Sequence, residues 1–195
     1  TITSGTSVID ARILEECNKS MVEDPVEKRG ADSNLWIWKQ PDYTRTYVVT
    51  ADVGRGDSKD FSAFHIIDVE SVEQVAEYKG KIPTKDFGNM LVSISTEYND
   101  ALLIIENNNI GWATIQQVID REYPNLFYTS KDLRYIDIAH QMTNRYRNTD
   151  RNMVAGFSTT MKTRPLIIAK LEEYFRDESV VVHSNRLIDE LLTFI

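Results

Sequence analysis

With 195 residues, 42% of them hydrophobic, the chain has enough apolar material for one well-buried core and too little length for two. A single cysteine, Cys17, excludes an intramolecular disulfide, and no apolar run approaches the roughly 20 residues of a membrane span, so a soluble protein of a reducing cytoplasm without a membrane partner is expected. The net charge of −8 argues at first against a polyanionic partner. It is uneven, however: between positions 131 and 164, Lys131, Arg134, Arg145, Arg147, Arg151, Lys162 and Arg164 outweigh Asp132, Asp137 and Asp150. That basic strip suits nucleic acid held along one face, and equally a solvated surface loop.

Positions 1–45 read as a preface. A short helix is predicted over 8–19, then a charged turn at Glu23-Asp24-Pro25, then Leu35-Trp36-Ile37-Trp38, whose alternation predicts a core-capping strand rather than a base-stacking platform. Three strands follow at 46–53, 61–69 and 72–79, and their short links (Gly54 and Gly56, then Glu70-Ser71) predict a three-stranded antiparallel meander. Thr84 is placed to cap a helix carrying Phe87, Met90, Leu91, Ile94 and Tyr98. The strand at 101–106 is reached through that helix and should run parallel to a meander strand. Asn109 opens a further helix (Trp112, Ile115, Val118, Ile119) that Pro124 stops, and Leu126-Phe127-Tyr128 is a short strand.

The basic stretch 134–156 lacks periodicity and predicts a loop or hairpin excursion. Thr163 and Pro165 start a helix with Ile167, Ile168, Leu171, Tyr174 and Phe175, Val180-Val181-Val182 is a last strand, and Ser184 caps a last helix. The order βββαβαβαβα predicts an α/β ribonuclease H-like fold: a mixed central sheet, with the meander and parallel strands flanked by helices, in one domain whose core is 46–195. The chain begins without Met and ends on apolar Leu191–Ile195, so it is expected to be part of a longer polypeptide.

The chemistry centres on two strand-end acids. Asp52 closes Tyr47-Val48-Val49-Thr50-Ala51, and Glu106 closes Ala101-Leu102-Leu103-Ile104-Ile105. If these strands are parallel neighbours, their ends lie about 4.8 Å apart and two carboxylates meet at one rim of the sheet. Hydrolysis of a phosphodiester needs charge neutralisation at phosphorus, an activated water and a stabilised leaving oxygen. Two Mg²⁺ ions about 3.5–4 Å apart meet all three needs. Mg²⁺ favours hard oxygen donors, and His65, His140 and His183 fall at unrelated positions, which argues against zinc.

Individually, Asp52 also fits a residue satisfying turn amides and Glu106 a solvated strand end; together they favour metal binding. Asp57 and Asp60 are either turn residues or partners of the site, Asp60 being a possible third metal contact. Arg55 and Lys59 are within the same hairpin and suit substrate phosphates. Asn107-Asn108-Asn109 reads as a polar network or as a turn and helix cap. Gly54-Arg55-Gly56 opens a strand rather than a helix, so a dinucleotide fingerprint is excluded. An actin-like nucleotide-binding hairpin also presents Asp-x-Gly, but such proteins use two facing domains, more chain than is present.

Thr50-Ala51-Asp52-Val53-Gly54-Arg55-Gly56-Asp57-Ser58-Lys59-Asp60-Phe61-Ser62-Ala63-Phe64, followed by Ile105-Glu106-Asn107-Asn108, resembles the C-terminal nuclease domain of the large terminase subunit of tailed bacteriophages, most like the T-even-like group. Asp24-Pro25-Val26-Glu27-Lys28-Arg29 and Asn34-Leu35-Trp36-Ile37-Trp38 extend the likeness. The resemblance implies an endonuclease that cuts concatemeric double-stranded DNA in the host cell cytoplasm at the start and end of packaging, using Mg²⁺ or Mn²⁺. It implies as partners an ATPase motor domain in the same polypeptide, a portal and a small terminase subunit. Of the family's two aspartates and a glutamate, Asp52 and Glu106 match the first two. The third, in a later Asp-Asp pair, has no match before Ile195, and Asp189 is a poor substitute because it should point away from the core of its helix. No GxxxxGK[ST] occurs, so the motor lies outside this segment. The competing reading is a catalytically incomplete interaction module of the same fold that docks DNA, portal or motor.

Overall fold

The meander and its parallel neighbour form as the apolar alternation predicts. The computed structural model describes residues 7–55, 60–130 and 153–194. Strands β1 (Glu27–Arg29), β2 (Leu35–Ile37), β3 (Tyr47–Asp52), β4 (Ser62–Asp68), β5 (Glu73–Gly80) and β6 (Leu102–Ile105) build one sheet in the order β1-β2-β5-β4-β3-β6. β3, β4 and β5 are mutually antiparallel neighbours, and β6 lies parallel to β3, with Val48 opposite Leu102 and Ala51 opposite Ile105. This is the mixed α/β sheet of the ribonuclease H-like fold, flanked by helices α1 (Ala11–Ser20), α2 (Thr84–Glu97), α3 (Gly111–Asp120), α4 (Arg164–Arg176) and α5 (Asn185–Leu192). Among the described residues no helix is long and apolar enough to cross a membrane.

Alternation decides which side chains each face receives. Tyr47, Val49 and Ala51 of β3 are buried with Phe64 and Ile66 of β4 and Leu103 and Ile105 of β6, against Phe87, Leu91 and Ile94 of α2 and Ile115 and Val118 of α3. The rings of Phe64, Tyr78 and Phe87 form a mutually packed triangle, with centroids 5.5 Å, 6.0 Å and 6.3 Å apart. Thr50 and Asp52 take the opposite parity and face outward. A second cluster of Leu14, Cys17, Phe175, Val182, Ile188 and Leu191 joins α1, α4 and α5.

Polar contacts fasten α5 to the sheet. The buried Glu77 carboxylate of β5 accepts from Ser184 Oγ (2.7 Å) and Arg186 Nε (2.7 Å), and the Arg186 guanidinium lies 3.5 Å from the centre of the Trp36 ring. Leu35, Ile37 and Trp38 are buried, as a core-capping strand requires, whereas Trp36 stays half-exposed beneath that guanidinium.

Several local expectations shift. Thr84 does not cap α2; Pro83 occupies the cap position, and the Thr84 carbonyl instead accepts from Thr114 Oγ1 (2.9 Å). Asn109 sits at φ 47° just before the helix, which begins at Gly111 and ends at Asp120, ahead of Pro124. Leu126 makes one parallel bridge to Leu103, and the regular strand β7 (Tyr128–Ser130) begins later, pairing antiparallel with β8 (Met153–Ala155). Val181 likewise makes a single bridge, to Glu73, instead of a full strand. α4 forms where Thr163 and Pro165 predict it, yet only Phe175 is buried, and Ile167 and Tyr174 face solvent.

Candidate active site

Parallel pairing of β3 and β6 places Asp52 and Glu106 at equivalent positions. The Glu106 N–H donates to the Ala51 carbonyl (3.0 Å), so the two acids leave the sheet side by side at the carboxyl ends of adjacent strands. Burial at the strand end, and then the Glu106 carboxylate within hydrogen-bonding reach, push the Asp52 pKa above the ordinary carboxylate value, although Asp52 still reaches solvent. Asn108 Nδ2 donates to Glu106 Oε1 (2.8 Å) and holds that oxygen in place. The two acids line a cleft of about 310 Å³ together with Asp60, Arg55, Phe61 and Asn108.

Backbone packing makes this placement specific. A Cβ at Gly111 would lie 2.1 Å from the Glu106 carbonyl oxygen, so glycine lets the first turn of α3 press directly on the acid's own peptide. A Cβ at Gly54 would meet the Phe61 carbonyl oxygen at 2.5 Å, and the Gly54 N–H donates to the buried Ser62 hydroxyl (2.9 Å), which closes the hairpin behind Asp52. The asparagine triplet divides its work. Asn107 is buried and donates to the Ala155 carbonyl (2.9 Å), Asn108 orients Glu106, and Asn109 takes the left-handed turn.

Asp60 lines the cleft and its carboxylate lies 3.9 Å from Arg55 Nε. Among the described residues no group of three or more His, Cys, Asp or Glu converges to hold a metal. Asp189 is exposed on α5 and does not line the cleft, as its helical position predicts. Lys162 and Arg164 are exposed at the start of α4, with Arg164 over the Phe194 ring (5.5 Å), and neither lines the cleft. Asp57, Lys59, Lys131, Arg134, Arg145, Arg147 and Arg151 lie outside the described residues.

The sequence reading passed over Ser62 and singled out Asn108 only within its triplet. Ser62 carries a usable signal, a hydroxyl at the buried parity of a strand whose next inward positions are Phe64 and Ile66. A larger cavity, about 420 Å³, lies between α1 and α4 beside Cys17, Phe175 and Val180. Burial pushes the Cys17 thiol pKa up, away from reactive thiolate, and the paired acids are elsewhere.

The donor set fits a hard divalent cation. Asp52 and Glu106 offer carboxylate oxygens only, with an amide beside them, and two acids forced together are relieved by a cation between them.

No protein-family model and no curated protein matches the chain. Solved structures do. The large terminase nuclease from thermophilic phage G20c with bound magnesium superposes with a TM-score of 0.67 at 15% identity, over 97% of this chain and 80% of that one. Its zinc-bound form gives 0.64 at 16%, over 94% and 88%. The large terminase nuclease domain of Thermus phage P74-26 gives 0.62 at 15%, over 92% and 76%. At such identity the likeness concerns architecture: this chain has the fold of phage large terminase nuclease domains.

Proposed function

We propose that the chain is a metal-dependent endonuclease domain of a viral DNA-packaging terminase, hydrolysing phosphodiester bonds of concatemeric double-stranded DNA with little sequence preference. The observation that carries the reading is the pair of register-equivalent acids, Asp52 and Glu106, at the ends of parallel β3 and β6. Support for a divalent metal comes from the donor set and from the G20c nuclease, which was solved with magnesium, cobalt and zinc. The T-even-like grouping rests on the resemblance of the Asp52 and Glu106 motifs, extended by positions 24–29 and 34–38.

Asp52 and Glu106 would hold two Mg²⁺ or Mn²⁺ ions, with Asp60 as a further contact. The ions supply charge neutralisation at phosphorus and acidify water. The chain's own groups do the rest. Asn108 fixes the Glu106 carboxylate, Gly111 and Gly54 permit the close packing that aims both acids, and Arg55 at the cleft offers a guanidinium to a phosphate oxygen. Lys59, Lys131, Arg134, Arg145, Arg147, Arg151, Lys162 and Arg164 would grip the backbone of the duplex. The motor domain of the same polypeptide, a portal and a small terminase subunit are the proposed partners, and the host cytoplasm is the proposed compartment.

Plasmid nicking in Mg²⁺ or Mn²⁺, with an EDTA control, tests the reading on this chain and on a version extended beyond Ile195. Cutting that EDTA abolishes is the expected result; absence of metal-dependent cutting in both refutes it. One observation favours the second reading, a non-cutting module that docks DNA, portal or motor: Asp60 lines the same cleft, yet among the described residues no three acids come close enough together to hold a metal as a group. A crystal soaked in Mn²⁺ separates the two, since anomalous density between Asp52 and Glu106 is expected only for the nuclease.

A further inference from the structure

The cleft does not end at its acids. Phe61 lines it and leaves 47% of its surface exposed, with the ammonium groups of Lys79 and Lys81 at 5.2 Å and 5.1 Å from its ring centre. Both distances are within the range of about 6 Å over which a ring quadrupole holds a cation. Pairing puts these groups on the face that carries the acids. Asp52 lies opposite Ala63, Ala63 lies opposite Lys79, and alternation sends Phe61 and Lys81 the same way. The order across the sheet is therefore Glu106, Asp52, Ala63, Lys79. Lys79 stands two strand spacings, about 9.6 Å, from Asp52 along the sheet.

Resting on the nuclease reading, we propose that Phe61, Lys79 and Lys81 form a docking platform for the DNA backbone beside the acidic cleft. Lys79 and Lys81 donate to phosphate oxygens, and Phe61 is a positioning residue that holds both ammonium groups at the right place. Two carboxylates repel a polyanion, and a cationic strip on the same face sets the duplex against that repulsion. Glu190 of α5 competes with DNA for Lys79, to which it is ion-paired.

Binding of a short labelled DNA duplex by the chain in EDTA, where no cutting intervenes, measures the platform through the slope of log K against log salt. Each lost phosphate contact flattens that slope by about 0.9. The double variant Lys79→Gln and Lys81→Gln flattens it by about 1.8, Lys79→Arg restores its share, Phe61→Leu weakens binding, and Glu190→Gln tightens it. A lysine serving only to anchor α5 through Glu190 predicts the opposite for Glu190→Gln, no gain in binding and a loss of stability. Where Lys79→Gln unfolds the chain, Lys81→Gln alone carries the test, with an expected change of about 0.9. An unchanged slope in folded Lys81→Gln overturns the platform. Nicking assays keep the two proposals apart: metal-dependent cutting with an unchanged slope sinks the platform and spares the nuclease, while a flattened slope with no cutting by this chain or by the version extended beyond Ile195 does the reverse.

Discussion

Asp52 and Glu106 illustrate how a site is held in a state that a simple fold would avoid. Burial, and then the Glu106 carboxylate beside it, raise the Asp52 pKa, so the folded chain bears a cost that a cation between the two acids would relieve. Asp52→Asn deletes charge but little volume. Cutting is expected to fall by more than about a hundredfold, since even supporting residues of metal sites are worth about 10–100-fold, while urea denaturation moves by no more than about 0.5 kcal/mol. A large loss of stability would mean instead that Asp52 is a structural turn residue. Gly111→Ala tests the backbone half of the site. Its methyl would sit 2.1 Å from the Glu106 carbonyl oxygen, so α3 must shift, at a cost of about 1–3 kcal/mol and with Glu106 displaced. Nicking that survives unchanged in this variant would show that α3 does not aim the acid.

The joint between β5 and α5 depends on buried charge. Arg186→Met leaves the Glu77 carboxylate buried with Ser184 as its remaining short donor, and a loss of about 3–5 kcal/mol is expected in chemical denaturation. The double variant Glu77→Met with Arg186→Met should lose less than Arg186→Met alone, because no charge is then stranded. Nearby, Glu73 receives the His183 ring (2.7 Å) and Lys39 Nζ (2.7 Å). Burial alone would raise its pKa, but those two hydrogen bonds outweigh it and hold Glu73 below its ordinary value of 4.5. A depressed carboxylate stabilises the fold fully above that value and loses its contribution as pH falls through the lower native one. Unfolding midpoints followed downward from about pH 5 should therefore fall more steeply in the wild-type chain than in Glu73→Gln. Helix α4 is fastened less firmly, with Phe175 its buried residue. Its amides are expected to exchange ahead of those of β3 and β6 in a hydrogen-exchange time course.

Metal binding, if the paired acids carry it, couples to the stability of the entire domain. Mn²⁺ at about a hundred times its dissociation constant should add about 2.7 kcal/mol, seen as a higher midpoint that EDTA reverses and that Asp52→Asn abolishes. Equal shifts in the wild type and the variant would place the metal elsewhere. Much of this architecture was legible from short-range patterns. Period-two burial in β3 and β4, the apolar run of β6, glycine at the hairpin, and the helix joining β5 to β6 dictate antiparallel and then parallel pairing, and these bring the two acids to one rim. Helix ends were less legible, because Thr84 and Gly111 open their helices through contacts with Thr114 and Glu106 that no local pattern records. The outward faces of α4 and the burial of Glu77 were hidden for the same reason. Periodicity shows that a face is apolar or polar, not what will be placed against it. The amino-acid order by itself determined the meander β3–β5, the parallel β6 and their strand-end acids, since these follow from the apolar pattern and chain connectivity. Only the tertiary structure decided that Asn108 orients Glu106, that Ser62 closes the turn, and that Phe61 gathers two lysines beside the cleft, because those contacts join segments whose proximity depends on the register of the assembled sheet.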